Sequence, residues 1–139
     1  MPTSSNPEFR LEVVTPYRVF YSDMADMVVL QNPDGQMGVM KGHVPLVTLV
    51  EPGQIKIRRK GEWHVAAIGE GYVEITRNNV YVVADSAEWP DEIDQARALA
   101  AKERAEERLR KKISRQEYIQ SKSAISRALA RLSVKKERH

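Results

Sequence analysis

Five residues in the last third of this 139-residue chain, Asp94, Arg97, Ala101, Arg104 and Arg108, recur at spacings of three and four. On an α-helix that spacing stacks them into one stripe. Arg127, Arg131 and Lys135 make a second stripe at spacings of four. If the chain reverses near residue 113, Arg127 falls opposite position 99 and Arg131 opposite position 95. Three arginines and a carboxylate then converge at the open end of a helical hairpin. Clustered guanidinia repel one another unless an anion lies between them, and their fork of donors suits a phosphate. A carboxylate beside them would accept from a sugar hydroxyl or an adenine amine. The chemistry indicated is nucleotide binding. The same spacing also describes two solvated basic faces whose ion pairs contribute about 0.2–1 kcal/mol each.

Other residue sets that could do chemistry are weaker. Gly69-Glu-Gly71 lacks the Gly-Lys-Ser/Thr ending of a phosphate loop, and no serine sits in a G-x-S-x-G elbow. There are no cysteines, which excludes disulfides and thiolate metal sites, and the three histidines at 43, 64 and 139 are far apart. His43 reads as a structural turn residue, His64 as a strand residue, and the pairs Asp23/Asp26 and Glu106/Glu107 as solvent-facing. Trp63 and Trp89 read as packing residues. The chain is expected to be no enzyme and to hold no metal.

The elements that must position the stripes follow from composition. All seven glycines lie at or before Gly71, the last proline is Pro90, and the remaining 49 residues are rich in Ala, Glu, Lys, Arg and Leu. Two units are expected, residues 1–88 and 89–139. In the first, Phe9, Leu11 and Val13 alternate with Arg10 and Glu12, the period of a half-buried strand. Further strands are predicted at 17–21, 28–30, 37–40, 46–50, 54–59, 63–68, 71–76 and 80–84. Turns are predicted at Asn32-Pro-Asp-Gly35 and near Gly61. Many short strands with frequent turns predict an antiparallel β-sandwich. In the second unit, Pro90 suits a first helical turn and a helix is predicted to about Lys111. Ser114-Arg-Gln-Glu117 has capping-box spacing and starts a second helix, with Ile119, Ile125, Ala128, Leu129 and Leu132 on one apolar face. The fold class is thus α+β, a sandwich followed by an antiparallel two-helix hairpin. An alanine-rich seam buries little area, so the hairpin is expected to open readily.

Charge separates the same two units. Residues 1–87 hold 8 Lys/Arg against 10 Asp/Glu, whereas residues 111–139 hold 9 against 2. A basic tail of this kind suits an acidic partner or a nucleotide. No stretch approaches the roughly 20 apolar residues of a membrane helix, and the N-terminus lacks the pattern of a secretory signal, so a cytosolic setting is expected.

Several segments in order carry a family resemblance. They are Val13-Val-Thr-Pro16, the run from Gly35 through Gly38, Gly42-His43-Val-Pro45 to Thr48, Gly71-Tyr-Val-Glu74, Val82-Val-Ala84-Asp85 and Ile93-Asp94-Gln-Ala-Arg97-Ala98. Together they make the chain similar, over residues 8–135, to the epsilon subunits of bacterial F-type ATP synthases. The resemblance implies a non-catalytic rotor subunit whose sandwich binds gamma and the membrane c-ring, at the cytoplasmic face of the membrane. It implies that the helices, when extended, reach alpha and beta subunits and inhibit ATP hydrolysis. It also implies ATP as a regulatory ligand of the closed hairpin, held by Glu88, Ile93, Asp94, Arg97, Ala98, Arg104, Arg127 and Arg131, with the part of magnesium left open. Two residues depart from the family pattern: Gln36 stands where many relatives have a carboxylate, and Glu70 replaces a glycine. A free-standing nucleotide sensor and a nucleic-acid-binding adaptor are the alternatives. The acidic sandwich and the nearly balanced first helix weigh against the latter.

Overall fold

The computed structural model describes residues 7–137. His139 and the first six residues, on which some of these expectations fall, lie outside that range. Ten strands form two five-stranded sheets. They are β1 Phe9–Val14, β2 Val19–Ala25, β3 Met27–Asn32, β4 Gly35–Val39, β5 Leu46–Val50, β6 Gly53–Arg59, β7 Glu62–Ile68, β8 Gly71–Ile75, β9 Asn79–Ala84 and β10 Ala87–Glu88. One sheet has the order β2-β1-β9-β8-β5 and the other β10-β7-β6-β3-β4. The expected sandwich is present, with one departure from antiparallel pairing: β1 runs parallel to β9, Leu11 opposite Val80 and Val13 opposite Val82.

Alternation builds the core. Phe9, Leu11 and Val13 of β1, Ile55 and Ile57 of β6, Val73 and Ile75 of β8, and Val80 and Val82 of β9 all point inward and are buried. Gly71 is required by close packing: a Cβ there would lie 1.8 Å from the carbonyl oxygen of Val83. Gly35 closes the β3–β4 turn at φ +123°, a conformation other residues rarely adopt.

Three elements differ from the sequence expectation for physical reasons. The second strand begins at Val19 and not Tyr17, because the Thr15 hydroxyl accepts from the backbone N–H groups of Tyr17 and Arg18, both at 3.2 Å, and folds 15–18 into a turn. Tyr17 is consequently 88% exposed. Asp23 and Asp26 are not simply solvent-facing: Asp26 accepts from Arg58 with its side chain 14% exposed, and Asp23 pairs with Arg59. Pro90 heads a short 3-10 turn, Pro90–Glu92, and not the long helix.

That turn is tied to the sandwich. Trp89 stacks on Phe20 with ring centroids 4.3 Å apart. Arg18 grips both Glu92 carboxylate oxygens at 2.6 and 2.7 Å and also donates to the Ala87 carbonyl at 3.0 Å. The Glu92 carboxylate accepts as well from the Trp89 backbone N–H at 2.8 Å. The Arg18 hydrogen bond is the main reason the Glu92 carboxyl lies below its ordinary pKa.

The helices α1 Gln95–Leu109 and α2 Arg115–Glu137 form the expected hairpin. Ser114 starts α2 by accepting from the Glu117 N–H at 3.2 Å and donating to its carboxylate at 3.1 Å. The seam holds the buried residues Ala98, Ala105, Ser121 and Ala128. Ile119 and Leu129, placed by spacing on the apolar face, are 57% and 48% exposed. Helix α2 lies over the outer face of β6 and β7, where Ala67, Ile93, Ala130 and Val134 make a small apolar cluster. The inner faces of Ala66 and Ile68 complete the sandwich core, while Ala67 between them is covered by α2.

Truncation after Glu92 is expected to leave a cooperatively folding sandwich. Truncation after Glu88 removes the Trp89–Phe20 stack and the half-exposed Arg18–Glu92 pair, and should cost that sandwich about 1–2 kcal/mol. Urea titration of the two fragments checks this; equal midpoints would place Trp89 and Glu92 outside the cooperative unit.

Candidate functional site

The root of the hairpin, where the chain leaves the sandwich, encloses a cavity of about 230 Å³. Each wall comes from a different element. The 3-10 turn supplies Glu92, β10 supplies Glu88, the N-cap of α1 supplies Asp94, α1 itself supplies Arg97 and Arg104, and α2 supplies Arg131. Ala98 and Ala101 form the floor, and their small side chains leave the space that larger ones would fill.

Local sequence explains the position of each group. Asp94 is the N-cap of α1, with extended backbone and its carboxylate accepting from the Arg97 N–H at 3.1 Å. It therefore precedes the helix and is not part of its first exposed stripe. Arg97 and Arg104 lie two turns apart on α1 and face the cavity. Glu88 pairs with Arg131 across the gap between β10 and α2. Lys135, one turn further along, donates to the Pro90 carbonyl at 3.0 Å.

The electrostatics of the cleft are unequal in a useful way. All three carboxylates are engaged: Glu88 by Arg131, Glu92 by Arg18, and Asp94 by the backbone of α1. The guanidinia of Arg97 and Arg104 have no ion pair or hydrogen bond among the described residues. An anion entering the cleft meets two uncommitted cations, and the carboxylates keep acceptor lone pairs for donors on the same ligand. The cavity is smaller than the ~300–1,000 Å³ of most ligand pockets, so a nucleotide seated here would remain partly in solvent.

Of the eight residues assigned from sequence, Glu88, Asp94, Arg97, Ala98, Arg104 and Arg131 converge on this cavity. Ile93 does not line it; it is 4% exposed and packs behind it against Ala67, Ala130 and Val134. Arg127 is drawn aside. It sits 3.8 Å from Glu70 and donates to Ser123 at 2.8 Å, in the crevice between α2 and the end of β7. Glu70 is one of the two residues that depart from the pattern noted in the sequence, and its carboxylate is what engages Arg127. Sequence reasoning missed Glu92 and its partner Arg18. No local spacing connects residues 74 positions apart; only the fold brings them together.

A sandwich that carries a helical hairpin on one sheet defines a class of small two-unit proteins, and comparison with known proteins narrows it. Residues 8–90 match the family described as ATP synthase, Delta/Epsilon chain, beta-sandwich domain, and residues 91–136 match ATP synthase, Delta/Epsilon chain, long alpha-helix domain. An ATP synthase epsilon chain from Caldanaerobacter subterraneus is 47% identical over 91% of this chain and 92% of its own. Another from Ruminiclostridium cellulolyticum is 48% identical over 94% of this chain and 97% of its own. A chain in the Euglena gracilis mitochondrial ATP synthase structure shares the fold at a TM-score of 0.76 and 19% identity, covering 88% of this chain and 78% of that one. The chain belongs to the epsilon-chain family of ATP synthases, as a non-catalytic subunit of the central stalk.

Asp94→Ala is expected to destabilise the hairpin by about 1 kcal/mol through loss of the cap, and Asp94→Ser to restore most of it. Thermal melting followed at 222 nm checks this. An unchanged Ala variant would mean that α1 does not depend on this cap.

Proposed function

We propose that the closed hairpin of this central-stalk subunit binds ATP at its root, and that release of the hairpin lets the helices act as a brake on ATP hydrolysis. As a central-stalk chain the protein associates with gamma and the c-ring, and its sandwich is the part suited to that contact. On the outer face of the first sheet Leu49, Tyr72 and Val83 lie side by side, with Leu49 63% and Tyr72 44% exposed. Such a row favours a protein partner over water. Among the described residues no helix is long and apolar enough to cross a membrane. In this reading the subunit is held peripherally, at the cytoplasmic face of the membrane, through its partners in the assembly.

The observation that carries the nucleotide reading is the pair of uncommitted guanidinia, Arg97 and Arg104, beside acceptors that are already held in place. Arg97 and Arg104 suit the phosphates, Arg131 joins them if its bond to Glu88 yields, and Glu88 and Asp94 suit donors on the base or sugar. Arg127 contributes only if it leaves Glu70. Among the described residues no group of three or more metal-donor side chains occurs, and a magnesium ion carried by nucleotide phosphates needs no such cage. A ligand spanning α1, α2 and β10 binds the closed state and not an extended one, so it shifts the equilibrium toward closure by that difference in affinity. Released and extended, α1 and α2 could reach ~1.5 Å per residue along the stalk, carrying their basic second half toward alpha and beta subunits.

The test is calorimetric titration of ATP into the full chain. Wild type is expected to bind, and Arg97→Ala to bind ten- to a hundredfold more weakly, the loss of a charge-assisted hydrogen bond being ~1.5–3 kcal/mol. Arg97 donates to the Asp94 cap through its backbone N–H, so alanine leaves α1 intact. Absence of binding by the wild type, or equal affinity in both, would overturn the reading.

A further inference from the structure

A second cavity, of about 250 Å³, opens between α1 and α2 nearer their connection. Its polar lining is Arg104 and Arg108 from α1 and Gln120 and Ser121 from α2, against alanine walls. Three observations separate it from an ordinary gap in a helix seam. Ser121 is 2% exposed, and its hydroxyl oxygen is buried without a hydrogen-bond partner. A buried hydroxyl left unpaired costs about 1–3 kcal/mol, and a sequence in which alanine fills the neighbouring seam positions had a cheaper residue to hand. Neither Arg104 nor Arg108 has an ion pair or hydrogen bond among the described residues, although other basic residues of the hairpin do, as Lys102 pairs with Glu106 and Arg110 with Glu107. Finally, no carboxylate lines this cavity, whereas three line the one at the root.

The difference in lining is a difference in ligand chemistry. The root cleft offers cations and acceptors together, as a nucleotide needs. The cavity near the connection offers two guanidinia, an amide and a hydroxyl, all able to donate, and no anionic acceptor to repel a small anion. Its volume accommodates a tetrahedral oxyanion with several waters, each needing ~30 Å³. We infer that this cavity is a phosphate-binding subsite, in which Arg104 and Arg108 pair with the oxyanion and Ser121 donates its hydroxyl to it. Because the donors come from both helices, an occupied subsite ties α1 to α2 and favours the closed hairpin. The phosphate has two possible sources: free inorganic phosphate, or the terminal phosphate of a nucleotide reaching past Arg104, the residue the two cavities share. The second source rests on the nucleotide reading above; the first does not.

The experiment is titration of inorganic phosphate into the full chain in low-chloride buffer, followed by the backbone amide resonances of Gln120 and Ser121. Saturable shifts at these positions are expected, with affinity reduced about tenfold by Arg108→Gln and several-fold by Ser121→Ala. Arg97→Ala, confined to the root cleft, is expected to leave the phosphate titration unchanged while weakening ATP. If the nucleotide is the source, ATP but not AMP shifts the same amides, and Arg108→Gln weakens ATP more than AMP. Ser121→Ala is also expected to raise the melting temperature or leave it unchanged, since the hydroxyl bonds to nothing in the fold. Three results would overturn the inference: no response of these amides to phosphate or ATP, equal binding by the Arg108 and Ser121 variants, or loss of the phosphate response in Arg97→Ala. A Ser121→Ala chain that melts below the wild type would overturn it too, by showing that the hydroxyl serves the fold.

Discussion

The attachment of α2 to the sandwich is mostly polar, and the behaviour of the whole molecule turns on that. Four buried residues, Ala67, Ile93, Ala130 and Val134, with the half-buried Val65 packed against them, supply its apolar part, and only Ile93 is large. Around them Gln54 donates to Ser133 at 3.0 Å, Arg131 pairs with Glu88, Arg127 lies near Glu70, and Lys135 donates to the Pro90 carbonyl. Hydrogen bonds of this type contribute about 0.5–1.5 kcal/mol net and half-exposed ion pairs about 0–1, because water replaces them when the surfaces part. The hydrophobic term is small for the same reason that Ala67 and Ala130 can lie close: little apolar surface is hidden. Such an interface is specific in register yet cheap to release.

The sandwich has the opposite character. Its core is built from Phe, Leu, Ile and Val side chains that are essentially inaccessible, and its strands exchange sheets repeatedly, so no part of it can leave alone. The joint between the two regimes is sharply placed. Trp89 and Glu92 are fastened to Phe20 and Arg18, while Ile93 and Asp94 have extended backbone and lead directly into α1. A hairpin opening about Ile93 and Asp94 would disturb neither the core nor the Arg18–Glu92 contact. It would dismantle the root cleft and, if the helices also part, the cavity beside Ser121. A ligand bound as proposed in either cavity would act on an equilibrium that the weak interface brings within reach; a complete population shift needs about 5.5 kcal/mol.

Much of this was legible in the residues. The alternation of Phe9, Leu11 and Val13, the break at Pro90 and the box at Ser114 specify strand, border and helix through local physics alone. The arginine stripe on α1 announced the cleft because helical spacing fixes which side chains share a face. What stayed hidden depends on contacts distant in sequence. The parallel pairing of β1 with β9, the Arg18–Glu92 grip and the diversion of Arg127 by Glu70 each join residues that no periodicity relates. Asp94 shares the cleft with Arg97 and Arg104, but its spacing to Arg97 fits a helical stripe and an N-cap equally, and only the backbone shows that it is the cap. Ile93 is assigned to the ligand through its motif, and its side chain is buried against Ala67, Ala130 and Val134.

The central claim is that α2 must leave the sandwich for the hairpin to restrain ATP hydrolysis. The chain has no cysteine, so Gln54→Cys with Ser133→Cys, joined by a short thiol crosslinker, would tie α2 to β6 at a place where their side chains already meet. The measurement is ATP hydrolysis by the assembled enzyme carrying this subunit, crosslinked and uncrosslinked. The account predicts faster hydrolysis with the hairpin tied shut. Equal rates in the two states, under conditions where removal of α1 and α2 accelerates the enzyme, would contradict it.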